Sequence, residues 1–130
     1  MTQKEFNNFL DDILDQIQDI LGSKADEYAS NTSRFHNFER AARMVDTDPI
    51  NALRGMQLKH RVSIQDMLDN DIHDYTFNQW KEKILDNVNY YFLLLAMIKK
   101  YKDQKECKDQ EEKKDKINYY TEKPNIGVIL

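Results

Sequence analysis

Residues 90–98 read YYFLLLAMI, and no other stretch limits the fold as strongly. A helix apolar on one side lies on a core; a helix apolar nearly all round is enclosed by other elements or by lipid. Crossing a bilayer takes roughly 20 apolar residues, and the chain has no run of that length. The run therefore predicts a helix at the centre of a core and no membrane span. With Gly 3 and Pro 2 in 130 residues, the elements around it are expected to be helices rather than turn-rich strands. A chain of this length forms one domain with a modest core and needs no disulfide. The single Cys107 offers none, which fits a reducing, cytoplasmic setting. The polar, acidic start does not read as a signal peptide.

Four helices follow from the pattern. The first spans about 2–30, opened by a Thr2–Glu5 capping box, with Phe6, Phe9, Leu10, Ile13, Ile17, Ile20 and Leu21 on one face. Gly22 is a weak point in its middle. After the loop SNTS, a short helix spans about 34–45, with Phe35, Phe38, Ala42 and Val45 together. Asp48 followed by Pro49 starts a third, running to about 69, with Ile50, Leu53, Ile64, Met67 and Leu68 inward. DNDIHDY ends it, and Thr76 with Gln79 caps the fourth, about 77–104. Its apolar face is read as Trp80, Ile84, Val88, Tyr91, Leu95 and Ile98, while Met56, Met67 and Met97 read as core filler. The expectation is an all-α, four-helix up-down bundle with a long central fourth helix. Residues 1–104 form its helical domain and 105–130 a charged tail, which extends the fourth helix or frays; its apolar end PNIGVIL docks or stays loose.

Charge is uneven. Residues 1–98 carry 16 acids against 10 Lys and Arg, and residues 99–130 carry 7 acids against 9 Lys. An acidic body argues against nucleic-acid binding, which needs a basic face. No P-loop or dinucleotide fingerprint is present, and His36, His60 and His73 lack zinc-ligand spacing with one another or with Cys107.

Charges nevertheless interrupt the apolar faces. Lys24 falls at the centre of the first helix's stripe, flanked by Glu27 and Tyr28. On the fourth helix Glu82, Asp86 and Asn89 sit at i, i+4 and i+7, opposite the main apolar face, and Leu93 continues their line. In an up-down bundle the first helix ends where the fourth begins, so Glu27, Glu82 and Asp86 are expected together. Three carboxylates suit Mg²⁺ with a substrate phosphate. The plain alternative is a structural ion pair of Lys24 with Glu82 or Asp86, or a solvated helix end. Arg34, Arg40 and Arg43 form a basic cluster, either surface charge or a grip on phosphate. His60 points to the apolar face of the third helix and reads as a core histidine. Lys59 lies on the opposite side, solvated unless that side faces a pocket.

The frame KADEY…RFHNFERAA…ALRGMQLKHRVSIQDM…WKEKILDNVNYYFLLLAM, over about residues 20–98, resembles small phage-type proteins related to the MazG-like all-α nucleotide pyrophosphohydrolases. The resemblance implies a helical nucleotide-binding domain, Mg²⁺ as cofactor, a homo-oligomer, and the cytoplasm of a bacterial host. It implies cleavage of nucleoside triphosphates to monophosphate and pyrophosphate. Glu27 matches the acid of the earlier helix, and Glu82 with Asp86 the later pair, as metal and catalytic residues. Lys24, Arg34, Arg40, Lys59, Asn89 and Tyr90 are the expected phosphate and substrate contacts. Two departures stand out: Lys24 replaces the first glutamate of an E-x-x-E pair, and the later acids are spaced E-x-x-x-D instead of E-x-x-D. A cation at position 24 weakens a metal site and suits a phosphate. The competing function is therefore a non-catalytic protein that sequesters a nucleotide signal, or inhibits a host protein, in anti-defence.

Overall fold

The computed structural model describes the backbone of residues 1–28 and 33–122, and the side chains of 1–22 and 33–121. Its regular structure is helical throughout: α1 (Gln3–Tyr28), α2 (His36–Met44), α3 (Pro49–Leu68), a 3-10 turn (Ile72–Asp74) and α4 (Phe77–Glu122). The chain divides into two compact units, Met1–Leu95 and Ala96–Leu130. No described helix is long and apolar enough to cross a membrane. The end PNIGVIL lies outside the described residues.

The helix starts follow from their local chemistry. Thr2 N–H donates to the Glu5 carboxylate at 2.6 Å, and Glu5 N–H donates to Thr2 Oγ1 at 3.2 Å. This reciprocal pair satisfies two amide donors that the helix itself leaves open. At α3 the Asp48 carboxylate accepts from Asn51 N–H at 2.9 Å ahead of Pro49. At α4 Thr76 and Gln79 repeat the reciprocal box, at 2.8 and 3.2 Å. Between α2 and α3, Asp46 takes φ 53°, and Thr47 N–H reaches back to Ala42 O at 2.9 Å. That is a left-handed helix end built without the glycine that favours it. Gly22 does not interrupt α1, which continues to Tyr28.

Inside the first unit, α4 meets the other three helices. Phe9 of α1 lies against Phe77, ring centroids 6.3 Å apart. Phe38 of α2 stands edge-on to Tyr90 at 6.3 Å, and His60 of α3 lies 5.0 Å from the same ring. Gln57 of α3, itself buried, donates to Asn87 Oδ1 at 3.1 Å. Trp80 is buried, edge-on to Tyr75, and its indole N–H donates to Ile72 O at 3.0 Å, which ties the 3-10 turn to α4. Ile17, Phe38, Ala42, Ala52, Leu53, Met67 and Leu85 supply buried apolar packing; Met97, in the second unit, is also buried.

Three expectations are corrected. First, the run 90–98 is not enclosed at the centre of a core: Met97 alone in it is buried, and the buried residues of α4 are Trp80, as expected, with Leu85, Asn89 and Met97, whereas Ile84, Tyr91, Leu95 and Ile98 of the expected face are exposed, Leu95 by 66%. A run apolar on every side carries no phase, so its pattern cannot say which stripe points inward. Val45 and Leu68, placed inward from the pattern, are exposed too, because each sits at or beyond its helix's last turn. Second, α4 does not end at about 104 but runs on to Glu122, the extension being one of the two alternatives expected for the tail. Its later part contains no Gly or Pro and holds the i,i+4 pair Lys99–Asp103 at 2.7 Å, which favours continued helix. Third, Phe9 meets Phe77, and Leu21, three turns later, shares a cavity wall with Asp86, Asn89, Tyr90 and Leu93. Over these stretches α1 and α4 run in the same sense, so the beginning of α1, not its end, lies beside the beginning of α4.

Candidate functional site

A cavity of about 560 Å³ opens in the first unit, and each helix offers it one face. From α2 come Asn37, Arg40, Ala41 and Met44, spaced i, i+3, i+4 and i+7, together with Phe38. From α3 come Met56, Lys59 and His60, and from α4 Asp86, Asn89, Tyr90 and Leu93. These are helical spacings that bring residues onto one side. Arg34 precedes α2, and Leu21 closes the wall from α1. The turn that carries Arg34 is held by Ser33, whose Oγ accepts from Phe35 N–H at 3.1 Å and donates to Glu39 at 3.3 Å.

The wall has three chemical parts. Arg34, Arg40 and Lys59 bring positive charge to its rim; Arg34 is half-buried, Arg40 and Lys59 exposed. Phe38, His60 and Tyr90 form a continuous aromatic surface, joined by their 6.3 and 5.0 Å ring contacts. The third part is Asn89. It is 5% exposed, and neither its Nδ2 nor its Oδ1 has a hydrogen-bond partner among the described residues. A buried amide without partners costs free energy on both atoms, so native proteins rarely keep one without use.

The expected site residues are thus distributed unevenly. Arg34, Arg40, Lys59, Asp86, Asn89 and Tyr90 come together on the cavity wall. Arg43 is exposed and is not on that wall. Glu82, one turn before Asp86, is exposed and also lies off it, because the wall on α4 begins at Asp86. The side chains of Lys24 and Glu27 lie outside the described residues. His60 and Lys59, read as facing opposite sides of α3, both border the cavity. Neighbours on a helix differ by only about 100°, and a lysine stem reaches around that angle. Phe38 is buried, as its pattern indicated, and also borders the cavity; His60, read as a core histidine, borders it as well, and Asn37 and Met56 are wall residues that sequence reasoning did not assign to a site. The available signal for His60 was its place next to Lys59.

Asp86 is the one carboxylate among the described lining residues, beside three cations. Among the described residues no group of three His, Cys, Asp or Glu is placed to hold a metal. No family model, curated protein or solved structure matches the chain.

Proposed function

We propose that this chain binds a nucleotide, or a nucleotide-derived phosphate signal, in the α1–α4 cavity, on a helical fold of the MazG-like kind. The observation that carries the reading is the wall composition: three cations face a shared space with an aromatic surface and a single carboxylate. Arginine and lysine grip phosphate oxygens, the first by a planar fork and the second as a point charge. An aromatic surface receives a base. A volume of about 560 Å³ lies within the roughly 300–1,000 Å³ typical of small-molecule sites. Binding without turnover is the first form of this reading, since Lys24 stands where an acid would strengthen a metal site.

Hydrolysis is the second form. Asp86 on the cavity wall, with Glu82 one turn earlier on α4, is the observation in its favour. It requires Glu27 and Mg²⁺ to complete the donor set, and release of pyrophosphate as product.

One experiment separates these readings. The purified chain is titrated with nucleoside triphosphates with and without Mg²⁺, and both bound ligand and released pyrophosphate are measured. Saturable binding with unchanged ligand, weakened at least 10-fold by Arg40→Ala combined with Lys59→Ala, supports sequestration. Mg²⁺-dependent pyrophosphate release, lost in Asp86→Asn, supports the enzyme. Absence of binding to any phosphate-bearing ligand overturns both.

A further inference from the structure

We propose that Asn89 reads the base of the bound ligand, through the paired donor and acceptor edge that nucleobases carry. The inference rests on the nucleotide-binding reading above and adds which residue sets specificity. Its starting point is the amide of Asn89, a residue of the cavity wall that is 5% exposed, with both polar atoms buried and lacking a partner among the described residues. The other buried amide, Gln57, differs, because its Nε2 donates to Asn87 at 3.1 Å. Asn89 therefore stands out as an amide whose hydrogen-bonding capacity remains for a ligand.

The chemistry of a carboxamide narrows what that ligand presents. Oδ1 accepts and Nδ2 donates, side by side. A phosphate offers only acceptors, so it satisfies Nδ2 and repels Oδ1. A ligand edge with an adjoining donor and acceptor satisfies both atoms at once. Adenine presents one at N6 and N7, and the remaining bases present one on their pairing edge; asparagine makes such bidentate contacts with bases in other settings. The neighbouring surface agrees. Tyr90 follows Asn89 on α4, and its ring, with Phe38 edge-on at 69° and His60 tilted by 39°, brings aromatic groups to the same wall, against which a base can stack beside its polar edge. Arg40 and Lys59, exposed at the rim, are left for the phosphates. Base inward and phosphates outward is the arrangement that places each charge near water and each unsatisfied buried atom against a partner.

The test uses the full chain and four kinds of probe in equilibrium titration. These are the four ribonucleoside triphosphates, inorganic tripolyphosphate, phosphoribosyl pyrophosphate and an unphosphorylated nucleoside. At least one nucleoside triphosphate is expected to bind 10-fold or more tighter than tripolyphosphate and phosphoribosyl pyrophosphate. Asn89→Leu, which keeps the branching at Cγ and removes both polar atoms, is expected to lose roughly 5- to 150-fold for that nucleotide, the range of one bidentate base contact. Its affinity for tripolyphosphate should stay within about twofold. Nucleotides binding no tighter than tripolyphosphate would overturn base reading and leave phosphate binding standing. Phosphoribosyl pyrophosphate matching the best nucleotide would assign Asn89 to the sugar instead, and overturns the proposal. Retention of the full nucleotide preference by Asn89→Leu overturns the role of this residue. If tripolyphosphate and all nucleotides fail to bind while the nucleoside binds, the phosphate reading is the part that falls.

Discussion

Replacing Asn89 by leucine should stabilise the ligand-free protein. The residue is 5% exposed and two of its atoms are buried without partners among the described residues. Leaving one such atom unsatisfied costs about 1–3 kcal/mol, and exchanging a polar group for an apolar one of similar shape removes that cost without opening a void. Both atoms belong to one amide and are desolvated together, so their penalties do not simply add. The expected gain for Asn89→Leu is therefore about 1–3 kcal/mol rather than twice that. Asn89→Ala is the matched control. It also removes the polar atoms, but it enlarges the space on the α4 wall, so it should be less stable than Asn89→Leu by the usual cost of lost packing.

Urea unfolding followed by circular dichroism measures this directly, with the midpoint rising and the slope unchanged if the native state alone is affected. A chain of 130 residues should gain about 3–6 °C in Tm per kcal/mol. A loss of more than about 1 kcal/mol in Asn89→Leu would refute the reasoning. It would mean the amide has a structural partner, and the base-reading proposal would lose its ground. The expected outcome is a stability–function exchange, in which the residue that weakens the empty protein is the one that selects the ligand.

Three further outcomes follow from the packing and the helix ends. Leu53→Ala, at a position 0% exposed, should cost about 2–5 kcal/mol, whereas Leu95→Ala, at 66% exposed, should stay within about 0.5 kcal/mol in the monomer; parallel urea melts compare them. Asp46→Gly should stabilise by up to about 1 kcal/mol, because φ 53° is strained for aspartate and free for glycine, and the same melts show it. The Glu5 carboxyl is held below its ordinary value by the backbone and side-chain hydrogen bonds from Thr2; its capping contribution is therefore present above the unfolded pKa and lost as pH falls through the lower folded one, which NMR titration of the Thr2 amide follows.

Local chemistry was legible from sequence where the partners are three residues apart. The Thr2–Glu5, Asp48–Asn51 and Thr76–Gln79 caps form as their spacing demands. Helix content was legible for the same reason, from apolar spacing and the shortage of Gly and Pro. The inward face of α4 was not, because residues 90–98 are apolar in every direction and only neighbours from α2 and α3 select a stripe. That selection explains why Leu85 and Asn89 are inside and Ile84 and Leu95 outside. The cavity was half legible. Arg34, Arg40 and Lys59 drew attention as phosphate ligands by residue type, and they do share a wall with Asp86 and Tyr90. The missing information was the sense of α1 against α4, a long-range property that no local pattern encodes. An up-down arrangement placed Glu27 beside Glu82, whereas the Phe9–Phe77 contact sets the beginning of α1 there. Nor can a sequence say that an asparagine lacks a partner, since that depends on every element around it.

The electrostatics lead to a last prediction, about rates. Residues 1–98 carry 16 acids against 10 Lys and Arg, so a nucleotide approaching this body meets net repulsion at long range. At the cavity it meets Arg34, Arg40 and Lys59 with only Asp86 opposing them among the described lining residues. Added salt screens separated charges beyond about 8–10 Å most strongly and contacts inside a partly enclosed site least. Raising the ionic strength should therefore relieve the repulsion and leave the association rate constant flat or slightly higher, while the dissociation rate rises as the phosphate contacts weaken. A basic, steered site behaves in the opposite way, with association falling steeply as salt is added. Stopped-flow binding of a nucleoside triphosphate between roughly 20 and 300 mM salt, over which the Debye length falls from about 20 Å to about 6 Å, distinguishes the two. A tenfold fall in the association rate would show that the field of the cavity dominates that of the acidic body. The nucleotide would then be drawn in by the rim cations from a distance rather than held by them at contact.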